Sequence, residues 1–321
     1  MTESASKRFL LYQPNHGFGM ELFLLETAFE IAQALDRTLV LPPMPDLETT
    51  KYRRGLDNYF RLDTDWRWVS TEQYRATCGD HIDLVFHIAP LYRKEYTTPV
   101  IRDLHPVWLD NIERLTSFVK MGFRVGEVRR LQVERPLSLT EISRTFEDER
   151  PSIGLSYING LAEVANKRFE AATIRPVNSD GSMLRHVPTA VRDDYRALAH
   201  SFTGAEPYAA LHWRRGQNIQ QVAKILENVE LPTMEAMVRS IPADIHQIIV
   251  ATDVGLEDFK EFGEGRRFRS FRHEDPQVNA VVDLALCIEA DLFVGVDVST
   301  FSTYVAYVRR ARGLRESMVL L

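Results

Sequence analysis

Cysteine is scarce: the 321-residue chain contains two, Cys78 and Cys287, which excludes a disulfide framework. Cys287 falls within an apolar helical pattern and reads as a small core residue. Lysine is scarce as well, supplying seven of the 39 basic residues and leaving arginine dominant. The net charge is −6, whereas a general nucleic-acid binder needs positive charge to neutralise phosphates. No apolar run reaches the length of a membrane span, and the N-terminal MTESASKRF lacks the apolar core of a secretion signal. The expectation is a cytoplasmic protein with neither nucleic acid nor membrane as partner. Gly-x-Ser-x-Gly, the Walker lysine loop and Cys-x-x-Cys are all missing, which removes three common kinds of active site.

A hydrophobic content of 45% with 26% charged residues makes a buried core feasible and disorder improbable. Arg8–Tyr12 reads as a buried strand, Leu22, Leu25, Phe29 and Ala32 share one helical face, and Thr38–Leu41 reads as a second strand. Leu84–Ile88 and Ser152–Tyr157 are further strands in a middle region that is otherwise hard to read. After about residue 205 the alternation becomes regular. Strands are expected at Tyr208–Trp213, Gln247–Ala251, Phe268–Phe271 and Leu292–Val296. Helices are expected near Leu231–Arg239, Leu256–Phe262, after the cap and proline of Asp275-Pro276, and over about Thr300–Arg310. This pattern predicts an α/β protein of two Rossmann-like domains, residues 1–200 and 201–321, with the boundary near 195–206.

Two strand ends carry groups suited to phosphate. In Tyr208-Ala-Ala-Leu-His-Trp-Arg-Arg the hydrophobic run stops at His212, Arg214 and Arg215. A guanidinium offers a planar fork of donors that stays charged at any working pH. Arg-Arg also occurs at 53–54, 129–130, 266–267 and 309–310, and those four pairs read as surface residues. The second end is Leu292-Phe-Val-Gly-Val-Asp-Val-Ser-Thr-Phe, which delivers Ser299 and Thr300 to the start of a helix whose first turn holds no carboxylate. Such a start is open to an outside anion, unless Ser299 simply caps it. Asp253, ending Ile248–Thr252, either accepts from the N1–H and exocyclic amine of guanine or caps the next helix. His212 either bonds a base or ribose or is a satisfied core histidine.

The loop His16-Gly-Phe-Gly19 places glycines at a strand-to-helix turn, where the backbone can approach a ligand closely. A third glycine at the dinucleotide spacing is missing, which argues against a nicotinamide cofactor. His16 is the most credible general base there, and Glu21 is the other. Asp63-Thr-Asp65 reads as a solvated loop, and Asp80-His-Ile-Asp83 and His273-Glu-Asp275 lack zinc-site spacing. No metal ligands and no bound cofactor are expected.

Three segments together resemble the GDP-fucose protein O-fucosyltransferases and their α1,2/α1,6-fucosyltransferase relatives. These are Ala210-Leu-His-Trp-Arg-Arg-Gly216, Ile249-Val-Ala-Thr-Asp253, and Asp283 through Ser302 with its Val-Ser-Thr-Phe order. The loop His16–Gly19 is similar to their first glycine-rich loop. The resemblance implies a GT-B fold, two Rossmann-like domains with a nucleotide-sugar cleft between them. It implies metal-independent, inverting transfer of fucose from GDP-fucose to a hydroxyl acceptor on protein or glycan. Arg214 would hold the β-phosphate, Arg215 would be a second clamp, and His212 and Asp253 would meet the guanosine. Ser299, Thr300 and Phe301 would line the phosphates and base, with Gly17, Phe18 and Gly19 contributing from the first loop. Asn218 stands where the protein-directed branch commonly has aspartate, and Met20-Glu21 where one branch has Asn-Gln. His16 falls where another branch has a catalytic glutamate. A different GDP-sugar transferase with a small-molecule or lipid acceptor, and a GDP-sugar-binding protein without catalysis, are the alternatives.

Overall fold

The structure is a computed structural model that describes residues 8–14, 18–45, 52–62, 66–88, 115–132, 137–146, 150–155, 189–213, 232–252, 255–262, 265–296, 299–314 and 317–320. The chain divides into two compact units. The first comprises 1–16, 21–58 and 62–167, and the second comprises 17–20, 59–61 and 168–321. The units therefore change over at 167/168, and two short N-terminal pieces group with the C-terminal part.

The first unit holds a six-stranded sheet built from β1 (Phe9–Tyr12), β2 (Thr38–Leu41), β6 (Trp68–Ser70), β7 (His81–Ile88), β8 (Arg124–Gln132) and β9 (Ser152–Leu155). Its order is β6-β2-β1-β9-β7-β8, and every pairing is parallel. Between β2 and β6 lie β3 (Pro43–Pro45) and β4 (Tyr52–Gly55), an antiparallel pair, and then β5 (Phe60–Leu62). Helices α1 (Phe18–Ala34), α2 (Thr71–Cys78), α3 (Leu115–Lys120) and α4 (Leu139–Thr145) connect the strands. Ser70 and Ser138 each start a helix with a complete capping box, so those boundaries are fixed locally. Leu22, Leu25, Ala28, Phe29, Ile31 and Ala32 of α1 are all buried, so this helix is covered on more than the one expected face.

The second unit holds β10 (Thr189–Val191), which pairs with β5, and helix α5 (Asp193–Thr203). Its main sheet is β13-β12-β11-β14-β15, with β11 (Tyr208–Trp213), β12 (Gln247–Thr252), β13 (Arg267–Arg269), β14 (Leu292–Val296) and β15 (Ser317–Leu320). All four pairings are again parallel. Helices α6 (Met234–Arg239), α7 (Pro276–Glu289) and α8 (Thr300–Ala311) complete the unit. Residues Glu257–Phe262 form a 3₁₀ segment in place of the expected α-helix, and β13 is shorter than expected. Among the described residues no helix is long and apolar enough to cross a membrane.

The strand order locates the functional edge. From β11 the chain moves to β12 and β13 on one side, then returns past β11 to β14 and β15 on the other. The strands that follow β11 and β14 thus lie on opposite sides, and in open parallel sheets ligands bind at that point of reversal.

One arginine in each of two pairs read as surface residues serves a helix end instead. Arg309, on the last turn of α8, is 1% exposed. Its Nη1 donates to the carbonyls of Cys287, Ile288 and Ala290 at 3.3, 2.7 and 2.6 Å. Those carbonyls end α7, where no further turn exists to satisfy them. Arg266 does the same for the end of α6, donating to Val238 and Ile241 at 2.8 Å each. Replacing Arg309 by Met should cost about 3 kcal/mol in urea unfolding, because buried carbonyls lose their donor. Arg310→Met, at an exposed neighbour, should stay within about 0.5 kcal/mol.

Candidate functional site

Helix α8 begins differently from its neighbours. Thr233 caps α6 and Asp275 caps α7, the latter accepting from Gln277 N at 2.9 Å with Pro276 in the first turn. Helix α5 has no side-chain cap but carries Asp193 and Asp194 in its first turn. Helix α8 has neither: Ser299 occupies the N-cap position without a side-chain cap bond, and no acidic residue follows. Capping by Ser299, the simpler expectation, does not occur. Within this first turn, neither a side-chain cap nor an acidic residue offsets the free amide ends and the helix dipole.

One hydroxyl fixes this helix start against the switch point. Ser302 Oγ accepts from Val296 N at 3.2 Å, at the end of β14, and lies 2.7 Å from His212 Nδ1, near the end of β11. The direction of the second bond follows the imidazole tautomer. All three partners are buried. Gly295 makes room for it, since a Cβ there would lie 2.5 Å from Ser302 Oγ. His212 also packs on Phe301, with ring centroids 4.5 Å apart and planes 36° apart. His212, Ser299, Thr300 and Phe301 are thus brought together at one sheet edge.

Phe18 and Gly19, which open α1, also belong to this unit. The Phe18 ring lies 6.2 Å from both Phe60 and Phe301. A Cβ on Gly19 would sit 2.5 Å from the backbone of Thr300 and Phe301. The glycine is required by backbone-to-backbone contact of two helix starts.

His16, Gly17, Arg214, Arg215, Asn218, Asp253 and the Asp63–Asp65 pair lie outside the described residues. Glu21, the alternative base, is 1% exposed and accepts from Tyr12 Oη at 2.8 Å. Burial, then the Glu21 charge, pushes the Tyr12 hydroxyl above its ordinary range. Glu21 is held inside the first unit. The acidic clusters have structural work: Asp80 pairs with Arg124 at 2.7 Å, and Asp83 accepts from Glu127 N at 2.9 Å. His273 Nδ1 accepts from Asp275 N at 3.0 Å. No group of three or more metal-ligating side chains occurs among the described residues.

Two residues missed by sequence reasoning lie on α7. This helix packs on β11 and β12, and Tyr208, first in β11, donates from its hydroxyl to the Leu286 carbonyl at 3.0 Å. The C-terminal half of α7 is therefore beside the start of the strand, and its N-terminal half extends towards the carboxyl edge. Gln277 confirms the direction, accepting at 2.6 Å from Tyr59 Oη, whose neighbour Phe60 packs on Phe18. In that half, Asn279 Oδ1 and Asp283 Oδ1 are buried with no hydrogen-bond partner. Burial pushes the Asp283 carboxyl up to about 8, opposed by the Arg272 guanidinium nearby. Polar residues interrupting an apolar helix pattern gave the sequence signal.

No family model matches the chain, and no curated protein matches it in sequence. Solved structures do. POFUT1 in complex with GDP-fucose aligns over 98% of each chain with a TM-score of 0.68 and 16% identity. The apo form of POFUT1 covers 100% of this chain and 99% of its own at 0.65 and 16%. The chain shares their fold. The fucosyltransferase NodZ from Bradyrhizobium covers 95% of this chain and 92% of its own, at 0.45 and 14%. The architecture is thus GT-B-like α/β with parallel sheets.

Two outcomes are expected. Gly19→Ala should cost about 2 kcal/mol in thermal or urea unfolding, since the methyl meets backbone that has no rotamer to yield. Asp283 has a folded pKa raised above its unfolded value of 3.8. Its contribution is full below about pH 4 and is lost as pH rises towards and through 8. Asp283→Asn should therefore gain stability over wild type with rising pH, by about 2 kcal/mol or more at pH 9, measured as melting temperature from pH 5 to 9.

Proposed function

We propose that the protein is a GDP-fucose-dependent glycosyltransferase that transfers fucose, without metal and with inversion, to a hydroxyl on a protein, peptide or glycan. The observation that carries this reading is the acid-free, uncapped start of α8, tied by Ser302 to His212 at the strand reversal. An anionic diphosphate suits that end, and the shared fold with POFUT1 in complex with GDP-fucose supports the same choice of ligand.

In this reading the acceptor oxygen attacks the anomeric carbon of fucose from the face opposite the phosphate. The carbon–oxygen bond to the β-phosphate breaks and GDP departs with the electron pair. Arg214 and the amides of Ser299–Phe301 offset the charge that develops on the leaving diphosphate, with Arg215 as a second clamp. His16 takes the acceptor proton, and Gly17, Phe18 and Gly19 shape the loop that brings it to the donor. Asn218 lies in the segment that follows the clamp. The guanosine is read by Asp253, next in sequence after β12, and by Asp283, whose orphaned Oδ1 is satisfied by the N–H donors of guanine. The part of the chain from about residue 201 onward carries the donor, and the part before it carries the acceptor.

Calorimetric titration with GDP, GDP-fucose, UDP and ADP, without added metal, tests the donor assignment. Binding of the two guanine nucleotides is expected, with UDP and ADP at least tenfold weaker; equal binding of all four would sink it. Arg214→Ala should lower turnover at least a hundredfold while leaving the melting temperature within a few degrees. A matching loss of folding would make Arg214 structural.

A further inference from the structure

The chain places a second unsatisfied acceptor one helical turn from Asp283. Asn279 Nδ2 donates to the His273 carbonyl at 3.1 Å. A carbonyl accepts only, so this bond fixes which end of the amide is nitrogen and turns Oδ1 the other way. That oxygen is buried and has no partner, as is Asp283 Oδ1. Residues four apart stand on the same helix face, here in the half of α7 that extends to the carboxyl edge of the sheet. Two orphaned acceptors on one face are costly to bury. Their cost is recovered by a ligand edge that carries several adjacent donors.

We propose that Asn279 is a second nucleobase-reading residue that accepts from the exocyclic amine of guanine. This rests on the guanine-nucleotide reading given above. The exocyclic amine has two hydrogens. One runs parallel to N1–H, and Asp283, ionised as these two donors offset the burial that otherwise keeps it neutral, can accept both together. The other hydrogen diverges and needs a separate acceptor, which Asn279 Oδ1 supplies. Adenine presents an acceptor at N1 and leaves at least one of these oxygens facing a lone pair. Hypoxanthine keeps N1–H for Asp283 but lacks the amine, so it offers Asn279 nothing to accept.

The test is isothermal titration of the full chain and of Asn279→Ala with GDP and with inosine diphosphate. The wild type should prefer GDP. Asn279→Ala should weaken GDP about five- to tenfold, the loss of one neutral hydrogen bond, and leave inosine diphosphate within twofold, so that discrimination shrinks by the same factor. Equal weakening of both nucleotides, or no change in either, overturns the proposal. Should Asn279→Ala fail to fold, Asn279→Ser shortens the side chain and gives the same comparison. A wild type that binds neither nucleotide overturns the guanine reading and this proposal with it. A wild type that binds both, with discrimination unmoved by the variant, overturns this proposal alone.

Discussion

The hydroxyl of Ser302 is the constraint on which the C-terminal unit is organised. It accepts from the last amide of β14 and shares a bond with His212 of β11. The neighbouring β14 and α8 and the distant β11, 90 residues away, are thereby held at one point. The cost of a buried serine is met because its oxygen has partners on both sides. Without that knot, the first turn of α8 would have no fixed bearing on the strand reversal, and its uncapped amides would point at nothing in particular.

The same helix is fixed at its other end. Arg309 reaches from the last turn of α8 into the carbonyls that end α7. Helices α7 and α8 therefore behave as one body, one presenting amides and the other presenting Asn279 and Asp283. A buried guanidinium is an expensive way to join two helices. It is tolerated because four carbonyls around it, including the longer bond to Asp291 at 3.5 Å, replace water.

Much of this was legible in the sequence where a local rule decides the structure. The Asp275-Pro276 start of α7, the apolar runs of β1, β2, β11, β12 and β14, and the hydroxyl-rich start of α8 are set by neighbours in the chain. What long-range packing decides was not legible. Ser302 looks like one more hydroxyl in Ser-Thr-Phe-Ser, and its role depends on His212, 90 residues away. Arg309 resembled a surface arginine because the carbonyls it serves are invisible in sequence. Nothing in the sequence shows that one oxygen of Asp283, at the head of the Asp283–Ser302 segment, is sealed from water. Strand β8, Arg-Val-Gly-Glu-Val-Arg-Arg-Leu-Gln, hid behind its charges, as befits an edge strand that must not pair further.

The close approach of Gly19 to Thr300 and Phe301, with Phe60 stacked behind Phe18, has a bearing on dissection of the molecule. The C-terminal unit is not a continuous stretch of polypeptide, because it borrows a helix turn and a strand end encoded in the first 61 residues. A fragment starting near residue 200 would leave the Phe301 ring bare where Phe18 now covers it. Excision, circular permutation or shuffling of this half must carry those two patches along, or supply an apolar substitute.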